Sequence, residues 1–191
     1  MNKMKRNRVD FEEIQEKLFN AIEEGNNKKV KKLIKEGVDV DESNFYGKTA
    51  LLLSAERGHK KIIKTLIQAK AEVNLCDFER STPLQVAVFE GHHECIKPLV
   101  EAGANVNSRL KNGETLVHIA AMKGHSKCIP ILKKYGAKLN ELNDDGNTPL
   151  HTAILYGNRR CVSTLLELDV NVSILNKKGE SALFLAAQRI V

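Results

Sequence analysis

"GNTPLHTAILYGN", residues 146–158, decides the fold. Thr148 is a good N-cap, because its hydroxyl can accept from an otherwise unpaired N–H of the first helical turn. Pro149 suits the first helical position, where its missing N–H costs nothing. Apolar residues follow at helical spacing, and Gly157 ends the run. In the next segment Cys161, Val162, Leu165 and Leu166 recur at a spacing that predicts one buried face of a second helix. Two short helices cannot bury such faces alone, so the unit needs neighbours.

The chain supplies them. "GKTALLLSAERGH" begins at Gly47, "RSTPLQVAVFEGH" at Arg80, "GETLVHIAAMKGH" at Gly113 and "GESALFLAAQRIV" at Gly179. The hydroxyl residues Thr49, Thr82, Thr115, Thr148 and Ser181 step by 33 residues. Gly25, Gly58, Gly91, Gly124 and Gly157 keep the same step of 33, as do Asn74, Asn107 and Asn140. One period held through so many positions predicts stacked helical units with a continuous core, an all-α solenoid.

The pattern G-x-T-P-L-H-x-A, a glycine closing the first helix, a V/I-x-x-L-L second helix and G-A-x-V-N before the next turn resembles the ankyrin repeat family. Gly146 to Gly157 and Gly103 to Asn107 are its fullest copies. The resemblance implies helix-turn-helix units joined by β-hairpin loops, about five and a half of them here. Residues 1–10 read as a basic extension and 11–44 as an N-terminal capping repeat. Repeats follow at 45–77, 78–110, 111–143 and 144–176, with a partial, truncated sixth at 177–191. Phe11, Ile14, Leu18 and Ile22 would form the inner face of the cap. The end, "SALFLAAQRIV", has no second helix and no polar cap. Solenoid ends need covering, so the expectation is the remainder of a longer polypeptide packed there, or another covering surface.

Some positions depart from the pattern. Lys70 and Asp169 replace the glycine that ends the second helix, and a left-handed backbone suits lysine poorly. Ala50, Leu116 and Ala182 replace the helix-starting proline. Pro98 and Pro130 fall inside second helices and should delay or kink them.

Composition narrows the function. The longest apolar run, Ala182 to Ala187, is far below the roughly 18 residues of a membrane span. The basic start, MNKMKRNRVD, has no apolar stretch behind it and is no secretory signal. Four cysteines without a C-x-x-C pair fit a reducing compartment, cytoplasmic or nuclear. The net charge is +6, with its densest cluster at Lys28, Lys29, Lys31, Lys32 and Lys35, read as a solvated helix face.

Residues of catalytic type follow the same period. His118 and His151 share one slot, filled elsewhere by Leu52, Gln85 and Phe184. A general base is one residue with one partner, not a part reused at intervals. The resemblance implies that these histidines, with Thr148 and Pro149, brace the loop. His59, His92 and His125 sit in the helix–helix turn, without a Cys or carboxylate at zinc-site spacing. Cys95, Cys128 and Cys161 read as buried hydrophobes at one height on successive helices. No catalytic residue, cofactor site or metal site is expected, and an enzyme is not expected.

The resemblance places partner contacts on the hairpin tips and the exposed face of the first helices. By repeat position these are Phe45, Tyr46, Lys48, Phe78, Glu79, Lys111, Asn112, Asp144 and Asp145 at the tips. Phe89, Glu90, Met122, Lys123, Leu155 and Tyr156 line the groove, with Phe89, Met122, Leu155 and Tyr156 as an apolar stripe. The expected function is a protein-interaction module, an adaptor or scaffold that binds a protein or peptide in a concave groove. Two rivals stand beside it: a regulatory or targeting domain of a larger enzyme or channel, and binding of nucleic acid or an acidic surface through the basic N-terminal region. Glu56, Glu79, Glu90, Asp144 and Asp145 disfavour nucleic acid at the groove. The family also contains targets of asparaginyl hydroxylation, and Asn74, Asn107 and Asn140 match that slot. The plainer reading is that they hold the turn.

Overall fold

The computed structural model describes the backbone of residues 2–188 and the side chains of residues 13–188. The Phe11 side chain and the basic side chains of the first ten residues lie outside the described residues. The described chain is all-α. In order it forms α1 (Asn2–Glu23), α2 (Asn27–Lys35), α3 (Ala50–Glu56), α4 (Lys60–Gln68), α5 (Pro83–Phe89) and α6 (His93–Glu101). Then come α7 (Leu116–Lys123), α8 (Cys128–Lys134), α9 (Pro149–Leu155), α10 (Arg159–Glu167) and α11 (Ala182–Gln188). The loops before α3, α7 and α11 carry single antiparallel bridges, Ser43 to Thr49, Arg109 to Thr115 and Leu175 to Ser181. The expected repeat architecture is borne out. No helix among the described residues is long and apolar enough to cross a membrane.

The first helices start where hydroxyls stand. The Thr49, Thr82, Thr115, Thr148 and Ser181 oxygens accept from the N–H groups of Leu52, Gln85, His118, His151 and Phe184. Helices lacking the leading proline begin at the same slot, so the hydroxyl, not the proline, sets the start. The second helices end in a left-handed residue at Gly37, Lys70, Gly103, Gly136 and Asp169. At the first four of these the residue after the turn bonds back across it, as Ala71 N–H does to the Leu66 carbonyl at 3.0 Å. Lys70 and Asp169 do adopt φ of 66° and 56°, so these side chains carry strain that glycine would not.

The two interior prolines behave differently. α8 begins two residues later in its repeat than α4, α6 and α10 do. Pro130 therefore lies in its first turn, where no N–H is needed, and three-residue turns from Cys128 and Ile129 fill the gap. Pro98 neither delays nor shortens α6, which keeps the nine residues of α4 and α10. The expected delay is thus found at Pro130 and not at Pro98.

The chain divides into two compact units, Met1–Ala87 with Lys97–Ala104, and Val88–Ile96 with Asn105–Val191. In the first, α1 packs on α2 and α3, α3 on α4, and α2 on α4. Leu18, Ile22, Val30, Leu51, Leu52, Ile62, Ile63 and Leu66 fill its core, while Ile14 is half-buried. In the second, α7 packs on α8 and α9, α9 on α10 and α11, and α8 on α10. Leu116, Ile119, Cys128, Leu132, Leu150, Cys161 and Leu165 are buried there. Leu166 is not: it stands 48% exposed, narrower burial than the spacing of α10 predicted. Residues five apart on a helix diverge by about 140° around its axis, so Cys161 and Leu166 cannot both point at one core.

Candidate partner-binding surface

The tips are held by a device the sequence reading missed. Asn44 Oδ1 accepts from Tyr46 N–H at 2.9 Å and Lys48 N–H at 3.1 Å. Asp77 does the same for Glu79 and Ser81, Asn143 for Asp145 and Asn147, and Asn176 for Lys178 and Glu180. These residues step by 33, interrupted by Leu110. That hairpin is held differently. Arg109 donates to the Gly113 and Leu142 carbonyls at 3.0 and 2.9 Å and pairs with Glu141.

On the first unit, Phe45 and Tyr46 stand almost free of the protein on their tip, and Phe78 is exposed on the next. A Cβ on Gly47 would come within 2.7 Å of the Phe78 ring, so that ring rests on the Gly47 backbone. Glu79 is exposed beside it. Lys48 is half-buried and pairs with Glu56 at 2.7 Å. Arg57 in turn bonds Glu56 at 3.2 Å and grips Glu23 at 2.6 and 3.0 Å. The Glu23 carboxylate pushes the Arg57 pKa further up. Lys48 and Glu56 are therefore committed within the protein rather than offered to a partner.

On the second unit Phe89, Met122 and Leu155 share one repeat phase, and Tyr156 stands one residue further on. Phe89 and Leu155 are each 42% exposed and Tyr156 is 59% exposed, whereas Met122 is half-buried. Lys123 lies over the Phe89 ring, its ammonium 3.8 Å from the centroid. His125 Nε2 meets the Phe89 carbonyl at 2.9 Å, and Asn158 Nδ2 donates to the Ala121 and Met122 carbonyls at 2.7 and 2.8 Å. The helix–helix turn of one repeat thus fastens the C-terminal end of the preceding first helix, which fixes where the stripe sits. Glu90 is exposed beside Phe89, and Lys111, Asn112, Asp144 and Asp145 are exposed at the tips. Adjacent tips are joined by backbone: Asp144 N–H to the Asn112 carbonyl and Lys177 N–H to the Asp145 carbonyl, both 3.0 Å.

The recurring histidines are occupied. His118 Nδ1 accepts from Thr115 N–H at 3.2 Å and meets the Thr115 hydroxyl at 2.9 Å, leaving Nε2 to donate to the Asn147 carbonyl at 2.9 Å. His151 repeats this with Thr148 and the Glu180 carbonyl. Burial pushes the His118 pKa down to about 4 and that of His151 down as well. Each ring closes a capping box on its own helix and ties it to the next hairpin. In the equivalent slot of α5, Gln85 Oε1 accepts from Thr82 N–H at 2.8 Å.

Asn74 and Asn107 are exposed, and each donates from Nδ2 to the carbonyl that follows the next second helix, Gly103 at 3.1 Å and Gly136 at 3.3 Å. Asn140 differs, accepting from Asn171 N–H at 3.0 Å. Cys95, Cys128 and Cys161 are buried thiols, and burial pushes Cys128 up to about 12 and Cys161 up to about 11. Cys76 is exposed. Among the described residues no cluster of three His, Cys, Asp or Glu could hold a metal ion.

A family model for ankyrin repeats, described as three copies, matches residues 18–110 and 91–176. No curated protein matched the chain.

Proposed function

The chain belongs to the ankyrin-repeat family, and on that premise we propose that it binds a partner protein or peptide through the apolar stripe of its second unit. Ankyrin repeats are generally protein-interaction modules. The observation that carries the proposal is the exposure of Phe89 and Leu155 in one repeat phase, with Tyr156 exposed beside Leu155, when Val88 and Ala153 on the same helices are fully buried. Large side chains that could have been polar without cost to the core are apolar instead. An apolar patch of this kind marks an interface, and aromatic side chains in its middle are the usual anchors. Lys123, already drawn over Phe89, adds a cation at its edge. The exposed tip residues Lys111, Asn112, Asp144 and Asp145 supply selectivity around it, as adaptor or scaffold surfaces do.

Preorganisation is the mechanism. The ends of α5 and α7 are fastened by side chains of the following turns, so little order has to be gained on binding. The test is capture from native lysate with the chain and with a Phe89→Arg, Tyr156→Arg double variant of unchanged helical circular dichroism. A partner held at least about 30-fold more tightly by the parent supports the stripe. Partners retained equally by both would move the site elsewhere.

A further inference from the structure

The first unit carries a second, chemically different surface. α2 reads NKKVKKLIK and α4 reads KKIIKTLIQ, eight lysines in two helices without one carboxylate. Val30 and Leu33 of α2, and Ile62, Ile63 and Leu66 of α4, are buried, which turns the lysines outward. Lys28, Lys31, Lys32, Lys35, Lys61 and Lys64 are all exposed. Lys28 and Lys61 share one repeat slot and Lys31 and Lys64 another, and α2 packs on α4. The cations therefore form two neighbouring rows on one face.

Those rows are built rather than loose. The Thr65 hydroxyl of α4 bonds Asn27 Oδ1 of α2 at 2.8 Å and pins the two helices together. Ion pairing leaves most of the charge unspent. Glu24 and Glu36 approach Lys29 and Lys32 only to 3.6 Å. Lys28, Lys31, Lys35, Lys61 and Lys64 have no ion-pair partner among the described residues. The carboxylates that disfavour phosphate at the tips and first helices of this unit, Glu56 and Glu79, belong to other elements.

We propose that the lysine face of α2 and α4 docks on the phosphate backbone of double-stranded nucleic acid, without reading its sequence. Cations three and four residues apart on a helix stand about 5–6 Å from each other, and packed helices about 8–10 Å apart. That gives a two-dimensional array of point charges, which suits a dense line of phosphates. Lysine meets phosphate as a point charge and lacks the planar fork with which arginine grips single carboxylates. Single strands are disfavoured, because neither helix exposes an aromatic ring for stacking. A bilayer is disfavoured for a related reason. Among the described residues, the exposed large apolar side chains of this unit, Phe45, Tyr46, Leu75 and Phe78, lie off α2 and α4, so these two helices offer no apolar side chain to a lipid interface.

The test is fluorescence anisotropy of a labelled DNA duplex of about 24 base pairs and mixed sequence, titrated from about 50 to about 200 mM salt. The six exposed lysines set an upper slope of about −5 in log K against log salt. A Lys28→Gln, Lys31→Gln, Lys61→Gln, Lys64→Gln variant removes four of them. A Lys127→Gln, Lys134→Gln, Lys177→Gln, Lys178→Gln variant removes the same charge elsewhere. Circular dichroism checks both folds, and a third variant with arginine at the first four sites restores the charge. The expected result is a slope shallower by about 3–4 for the first variant, a change under about one for the second, and recovery in the third. The proposal falls if the parent does not bind the duplex at low salt, or if both glutamine variants weaken binding equally. It also falls if vesicles rich in phosphatidylserine bind the face and duplex cannot displace them. The stripe variant Phe89→Arg, Tyr156→Arg should bind duplex like the parent, which separates this surface from the protein-binding one.

Discussion

Arg80 stands where Gly47, Gly113, Gly146 and Gly179 stand in the other hairpins, and it adopts their left-handed backbone with φ of 67°. A side chain there costs about 1–2 kcal/mol, and glycine returns part of that through the entropy of the unfolded chain. Arg80→Gly should therefore stabilise by about 1 kcal/mol and raise Tm by about 2–4 °C, read by thermal circular dichroism. His118 makes the opposite kind of demand. Its ring is fully buried as the neutral form, titrating at about 4 when folded and at about 6.5 when unfolded. Between those values the unfolded chain binds the extra proton, so the contribution is whole above about pH 6.5 and is lost as pH falls toward about 4. Urea titrations should show about 2 kcal/mol of extra loss from about pH 7 to about pH 5. A His118→Gln variant should lack that loss, since Gln85 shows that an amide can accept from the threonine N–H of the same slot. An equal pH response in both proteins would refute the assignment. At this scale the sequence was legible wherever a residue type repeats. The hydroxyl and histidine slots were visible for that reason. The Asn44, Asp77, Asn143 and Asn176 slot was hidden by mixed Asn and Asp identities and by Leu110. The Lys48–Glu56–Arg57–Glu23 network was hidden because its partners meet only in space.

Helix order and phase were legible because caps and apolar spacing agree in every repeat; the fate of the two interior prolines was only half legible. Proline disrupts a helix by missing one N–H and by its ring meeting the carbonyl four residues earlier. α8 avoids both by starting at Cys128, so that Pro130 falls third in the helix. α6 starts at His93 in the ordinary phase and keeps Pro98 as its sixth residue, where proline has no N–H to give to the helix. Replacing the two prolines should thus give unequal results. Pro98→Val keeps buried volume and restores the N–H, and should raise stability by about 1–2 kcal/mol in chemical denaturation. Pro130→Ala should change it by less than about 0.5 kcal/mol, while lengthening α8 toward Ser126. Equal gains from both would mean that the delayed start of α8 does not relieve its proline.

For the molecule as a whole, the 33-residue step means that each repeat is stabilised chiefly by its neighbours. The links are identifiable: packing of α9 on α11 and the His151 bond from the end of one capping box to the Glu180 carbonyl of the next hairpin. Exposure in one slot differs between repeats. Leu183 is 76% exposed, although Leu150 in the same slot is only 2% exposed. Such a chain transmits a local defect over short distances, and amide exchange measures how far. His151→Leu removes both the capping-box acceptor of α9 and the tie to the Glu180 carbonyl, at a cost of about 1–3 kcal/mol for the polar groups left unpaired. Exchange of α9 and α11 amides should accelerate by about 10- to 100-fold through local opening. Amides of α3 and α4, in the first unit, should be unchanged. If they accelerated equally, the chain would open as one cooperative body, and the repeats could not be treated as separable elements each coupled to the next.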